Sequence, residues 1–270
     1  MGNCGKQIRL HRILQLDRGT LVVAFDHPLV LGPIPGTFDP ARQIQRFIDA
    51  KADAILTNLG SFRYFAEARH PGSPPALVAR LDWTTAFNES AKASPNGFQT
   101  CLVTHPEDAL RAGADAVISF LFMGSGDANF EKKEIQRVGE VARECERCGI
   151  PLIVESLARG AQVENPRDSR WLMLHSRVAA ELGADIIKTE MADDVETMRK
   201  VVAACPIPIL VLGGTRTGSD QEVVSIVRSI VQSGAAGVFF GRNIFQADDM
   251  PGLLERVRAE LAKAVPRERK

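Results

Sequence analysis

Gly183-Ala-Asp-Ile-Ile-Lys-Thr-Glu190 is a short apolar run entered from a helix-ending glycine, the pattern of a parallel strand buried on both faces. Lys188 stands where that strand should stop. Two readings account for an amine in such a place. One is a salt bridge, with Glu190 two residues on as the partner, or a side chain that snorkels out of the strand end. The other is an amine nucleophile that forms a Schiff base with a carbonyl substrate. An amine with an ordinary pKa of about 10.4 is almost wholly protonated at neutral pH, and the desolvation of a strand end favours the reactive form.

The same junction recurs. Ala50-Lys-Ala-Asp-Ala-Ile-Leu56, Ala112-Gly-Ala-Asp-Ala-Val-Ile118, Leu182-Gly-Ala-Asp-Ile-Ile-Lys188 and Ser233-Gly-Ala-Ala-Gly-Val-Phe239 each read as a helix end followed by a strand start. Gly113, Gly183 and Gly234 suit the left-handed position that closes a helix. Between these lie two proline-started apolar runs, Cys148-Gly-Ile-Pro-Leu-Ile-Val154 and Cys205-Pro-Ile-Pro-Ile-Leu-Val211, where the first residue of a strand need not donate to the ladder. Leu21-Val-Val-Ala-Phe25 and Ala76-Leu-Val-Ala-Arg80 complete two interleaved sets of four. Eight strands alternating with helices predict an α/β fold, a (βα)8 TIM barrel.

In chain order, a short N-terminal helix over Gln7 to Leu16 plugs the bottom of the barrel. Strand 1 runs to Asp26 and opens into a Pro/Gly-rich loop from His27 to Pro40, too long for a plain connection. Strand 2 ends near Asn58 and strand 3 near Asp82. The polar stretch from Trp83 to Phe98 has room for a lid or an extra hairpin. Strand 4 ends near Phe122, followed by Gly124 and Gly126, which lack the remainder of a dinucleotide fingerprint. Helical spacing of Ile135, Val138, Val141 and Ala142 predicts a helix over Glu131 to Cys148. Strand 5 ends at Glu155 or Ser156, strand 6 at Lys188, and helices follow over Ser169 to Leu182, Asp220 to Gln232 and Gly252 to Ala264. No linker or shift in composition interrupts residues 1–270, so one domain is expected.

Equal numbers of basic and acidic residues, 33 of each, argue against nucleic acid or an anionic membrane as the main partner. No apolar run approaches the roughly 20 residues of a membrane span, and Met1-Gly-Asn-Cys-Gly-Lys6 has no apolar signal core. A soluble, cytoplasmic protein is expected. The five scattered cysteines fit a reducing compartment better than a disulfide framework. Cys145 and Cys148 have no second pair to complete a zinc site, and no other metal-binding spacing occurs, so neither metal nor cofactor is expected.

In such a barrel the C-terminal strand ends meet at one face, which gathers Asp26, Asp82, Glu155 and Lys188. Ile186 and Lys188 share one side of their strand while Ile187 faces the helices. Gly213-Gly214 and Gly241-Arg242 follow strands 7 and 8, where these barrels bind phosphate on backbone N–H groups. With Arg242 as a cationic partner, they point to a phosphorylated or otherwise anionic substrate.

Asp26-His27 with Gly32-Pro33 and Gly36, the stretch Glu181-Leu-Gly-Ala-Asp-Ile-Ile-Lys-Thr189, Gly213-Gly214, Gly241-Arg-Asn-Ile-Phe-Gln246 and the opening Arg9-Leu-His-Arg-Ile13 together resemble the archaeal-type class I fructose-bisphosphate aldolases. That group of lysine aldolases also includes the deoxyribose-phosphate and tagatose-bisphosphate enzymes. The resemblance implies a metal-independent aldolase acting on a phosphorylated ketose, with Lys188 as the Schiff-base residue. It further implies Asp26 as a carboxylate assisting proton transfer or holding a substrate hydroxyl, and Gly213, Gly214, Gly241 and Arg242 around phosphate. A homo-oligomer is implied as well, a decamer among the forms.

One position departs from that pattern. Where the archaeal-type enzymes carry a general acid/base Tyr, this chain has Leu157. Glu155, at the same parity and with a pKa raised by an apolar setting, or His27, is expected to take over the proton. The altered proton traffic leaves open a transaldolase-like 2-amino-3,7-dideoxy-hept-6-ulosonate synthase or a thiolase-like acyl transferase. A non-catalytic barrel that binds a sugar phosphate is the remaining alternative.

Overall fold

The computed structural model describes residues 4–15, 17–70, 72–88 and 97–264. In chain order the elements are α1 (Cys4–Ile13), β1 (Thr20–Ala24), α2 (Pro28–Leu31), α3 (Pro40–Asp49), β2 (Ala54–Asn58), α4 (Phe62–Glu67), β3 (Ala76–Arg80), β4 (Asp82–Thr84) and β5 (Thr100–Leu102). They continue with α5 (Pro106–Arg111), β6 (Ala116–Met123), α6 (Ala128–Cys148), β7 (Leu152–Ala158), α7 (Ser169–Glu181), β8 (Ile186–Thr189) and α8 (Val195–Ala204). Last come β9 (Ile209–Leu212), α9 (Asp220–Gln232), β10 (Gly237–Phe240), α10 (Arg242–Phe245) and α11 (Met250–Leu261).

Eight parallel strands close into a barrel in the order β1-β10-β9-β8-β7-β6-β3-β2. The expected TIM barrel is therefore the fold, and the αβ junctions are why. Gly113, Gly183 and Gly234 all have positive φ, at 97°, 105° and 79°, so each helix stops and turns its chain back to the sheet.

Alternation along the strands makes two apolar layers. Val22, Leu56, Val78, Ile118, Ile186 and Phe239 fill the barrel interior, while Val23, Val117, Val154, Ile187 and Val211 pack outward against the helices. Each fully buried side chain of this kind stabilises the fold by about 1.5–3 kcal/mol. Ile13 and Leu14 join the interior set and stop the lower end. The plug is as expected, on a helix that begins at Cys4, with Leu16 outside the described residues.

The segment after β3 makes the extra hairpin. Asp82, Trp83 and Thr84 pair antiparallel with Leu102, Cys101 and Thr100; residues 89–96 of the expected irregular stretch lie outside the described residues. Among the described residues no helix is long and apolar enough to cross a membrane.

Candidate active site

Register places the first pair of groups. On neighbouring strands β7 and β8, Glu155 stands beside Lys188, and both share the inward parity of Ile153 and Ile186. Lys188 Nζ lies 2.8 Å from Glu155 Oε1 and 4.7 Å from the centre of the Phe239 ring. The residue is only 5% exposed. Its carboxylate partner is Glu155 rather than Glu190, which turns instead to Arg159 at 2.7 Å.

Arg80, on the last position of β3, ties the remaining acids to this pair. Its Nε donates to Asp26 Oδ2 at 2.9 Å, and Nη2 contacts the same oxygen at 2.8 Å while also donating to Glu155 Oε2. The guanidinium lies 3.9 Å above the centre of the Phe120 ring and is among the largest fully buried side chains. The four groups form a charge-balanced set, two carboxylates and two cations, at the floor of the barrel mouth.

The set decides the protonation states. Burial alone would raise the Asp26 carboxyl, but Arg80 and Lys188 outweigh it and hold it at about 2. Glu155 follows the same logic. Burial opposes its charge, yet Lys188 and Arg80 bring it below the ordinary 4.5. The sequence-based expectation of a raised Glu155 pKa is thus corrected, because the setting is two cations and not an apolar wall. His27 behaves oppositely: burial lowers its pKa, with Asp26 as the opposing influence, so the imidazole is neutral at neutral pH. Its ring packs on Phe245 at 5.2 Å, and Nδ1 is buried without a hydrogen-bond partner, 3.7 Å from Asp26 Oδ1.

Asp82, expected at the same face, does not line the cleft. It accepts from Ser119 Oγ at 2.6 Å and from the Phe120 amide at 2.7 Å, and pairs with Arg137 at 2.7 Å. It anchors the hairpin behind Arg80.

The glycine loops lie on the other side of Lys188. A Cβ on Gly213 would meet Phe240 at 2.9 Å and Asn243 Nδ2 at 3.0 Å, and one on Gly241 would strike the His27 ring. The backbone is therefore bare where both loops pass the cleft. Asn243, which the sequence reading passed over, staples them: Nδ2 donates to Gly213 O and Oδ1 accepts from the Thr217 amide, each at 2.8 Å. Gly214 has φ 65°. Arg242 Nε is buried and unpartnered, and burial draws the guanidinium pKa down from its ordinary value.

Lys188, Glu155, Asp26, Arg80 and His27 line one cleft of about 970 Å³ together with Gly213, Gly214, Gly241 and Arg242. Leu157 lines it too and is buried beside Phe120 and Phe122. All eight residues singled out as a site thus come to one place, and Arg80 joins them.

A family model described as DeoC/LacD family aldolase matches residues 20–247. The 2-amino-3,7-dideoxy-D-threo-hept-6-ulosonate synthase of Halobacterium salinarum is 35% identical over 246 residues, spanning 91% of this chain and 87% of that protein. The 2-amino-4,5-dihydroxy-6-oxo-7-(phosphonooxy)heptanoate synthase of Streptomyces griseus is 31% identical over 250 residues, spanning 92% and 87%. The solved structure of a Schiff-base-forming fructose-1,6-bisphosphate aldolase superposes with a TM-score of 0.81 at 26% identity, covering 95% of this chain and 99% of that one.

Proposed function

This chain belongs to the DeoC/LacD aldolase family, and from that premise we propose that it is a metal-independent class I aldolase that binds a phosphorylated ketose through an imine on Lys188. The observation that carries the reading is the buried amine of Lys188, 2.8 Å from a carboxylate, in the same cleft as two bare glycine loops and the uncommitted Arg242.

In this mechanism the Lys188 ammonium gives one proton to Glu155, the freed amine bonds to the ketone carbon, and a second N–H proton passes to the carbonyl oxygen to make the carbinolamine. The protonated Glu155 then passes that proton to the carbinolamine hydroxyl, which leaves as water and yields the iminium. For cleavage, Glu155 takes the proton of the substrate hydroxyl borne by the far carbon of the breaking bond. The O–H electrons become the aldehyde carbonyl, and the carbon–carbon pair flows to nitrogen as an enamine. Return of the proton to the enamine carbon and addition of water release the ketone and restore the amine. Asp26, ionised and fixed by Arg80, accepts a hydrogen bond from a substrate hydroxyl. The phosphate rests on the amides of Gly213, Gly214 and Gly241 beside Arg242.

Leu157, which has no proton to give, places the acid/base work on Glu155. It also supports a second reading, condensation by a synthase like the Halobacterium salinarum relative instead of sugar bisphosphate cleavage. Exchange of the donor's α-protons with solvent tests the assignment. Glu155→Gln should slow it by about 10²- to 10⁴-fold, the span of general acid–base catalysis. Unaltered exchange moves the role to the neutral His27, and full turnover by Lys188→Ala overturns the imine.

A further inference from the structure

Barrel order divides the cleft into two unlike halves. The glycine loops follow the seventh and eighth strands of the barrel, β9 and β10. Across the mouth, four places away, stand the third and fourth, β3 and β6. Ala86 and Phe87, just after β4 in the connection between the two strands of the hairpin, line the cleft with Phe120 of β6 and Leu157 of β7. Val30 and Leu31 of α2, which leans on β4 of the hairpin, continue the wall. The rings of Phe87 and Phe120 lie 5.9 Å apart. Phe87 and Leu31, each 37% exposed, are among the large apolar side chains left uncovered.

Uncommitted positive charge is divided the same way. Among the described residues that line the cleft, the cations are Arg80, Arg159, Arg167, Lys188 and Arg242. Arg80 and Lys188 are committed to Asp26 and Glu155, Arg159 to Glu190 at 2.7 Å and Arg167 to Asp193 at 3.2 Å. Arg242 has no such partner, and it sits on the glycine side. Among the described residues of the far wall, the Arg80 guanidinium over the Phe120 ring is already committed to Asp26 and Glu155, so a phosphate pressed against Phe87, Phe120 and Leu157 would lose its water without a free donor to replace it.

We infer that the enzyme takes one phosphate, carried by the carbonyl donor and seated at Arg242, and that its aldehyde partner is uncharged and apolar. The inference rests on the imine reading. The donor is held by Lys188 and the anion cradle, which leaves the far wall for the aldehyde that joins to, or leaves from, the enamine carbon.

The test uses dihydroxyacetone phosphate as donor and compares butanal and benzaldehyde with glyceraldehyde 3-phosphate as acceptors. Expected is a kcat/KM at least about tenfold higher for the neutral aldehydes, the lower end of what apolar pocket contacts discriminate. Phe87→Lys, at a part-exposed position, should narrow or reverse that ratio, and Phe87→Leu should keep it. Equal or better use of glyceraldehyde 3-phosphate by the unaltered enzyme, with Lys188 labelled by borohydride and the donor, overturns the inference alone. Failure of the donor to label Lys188 overturns the imine reading and the inference with it.

Discussion

Arg80 holds two carboxylates that would otherwise face each other across a buried space, Asp26 and Glu155. Removing it leaves both charges with only Lys188 and residual water for compensation, and breaking one side of a buried pair costs about 3–5 kcal/mol. Arg80→Ala should lose that much stability in urea unfolding, and a loss under about 1 kcal/mol would show that the set does not depend on it. Asp26, Glu155 and Lys188 were legible in the sequence because an acid or amine at the end of an apolar strand conflicts with core packing. Arg80 was not, although it sits in a quoted strand. Its partners are 54 and 75 residues away, and an arginine closing a strand reads as a solvent-facing terminus until the barrel brings three strands together. Two partners were open for Lys188, Glu190 because it is near in sequence and Glu155 because it closes another strand; register selects Glu155.

Among the elements, the fourth helix–strand junction differs from the others by a glycine in the strand itself. Gly237 pairs with Thr20, where the last strand meets the first, and has φ 143°. A Cβ there would overlap the backbone of Thr20. Gly237→Ala should therefore cost about 3 kcal/mol or more, from backbone strain and overpacking together. A thermal midpoint within a degree or two of the parent would contradict this account of how the barrel closes. Strand cores and junctions were legible because they follow short-range patterns; element ends were less so. Asp127 accepts from the Asn129 amide and starts α6 at Ala128, ahead of the expected start at Glu131 and well before the apolar spacing begins at Ile135. Strand β7 continues to Ala158 because Phe120 through Met123 of β6 pair with Glu155 through Ala158, a non-local match. The helix Phe62–Glu67 was not foreseen at all, since six residues are too few to establish a period.

At the scale of the whole molecule, the barrel turns order along the chain into position around a ring. That is why a list of strand ends yielded a site, with Lys188 between the carboxylates and the anion cradle. What the sequence could not supply was the division of the ring into a half with the uncommitted Arg242 and an aromatic half, which depends on the hairpin after β3 and on α2 leaning toward it. The central claim is that the buried amine makes a reversible carbon–nitrogen double bond. Borohydride reduction in the presence of dihydroxyacetone phosphate, read by peptide mass spectrometry, tests it directly. The account predicts a stable adduct on Lys188 and none in Lys188→Ala; an unlabelled Lys188 in an enzyme that still catalyses the aldol reaction would contradict it.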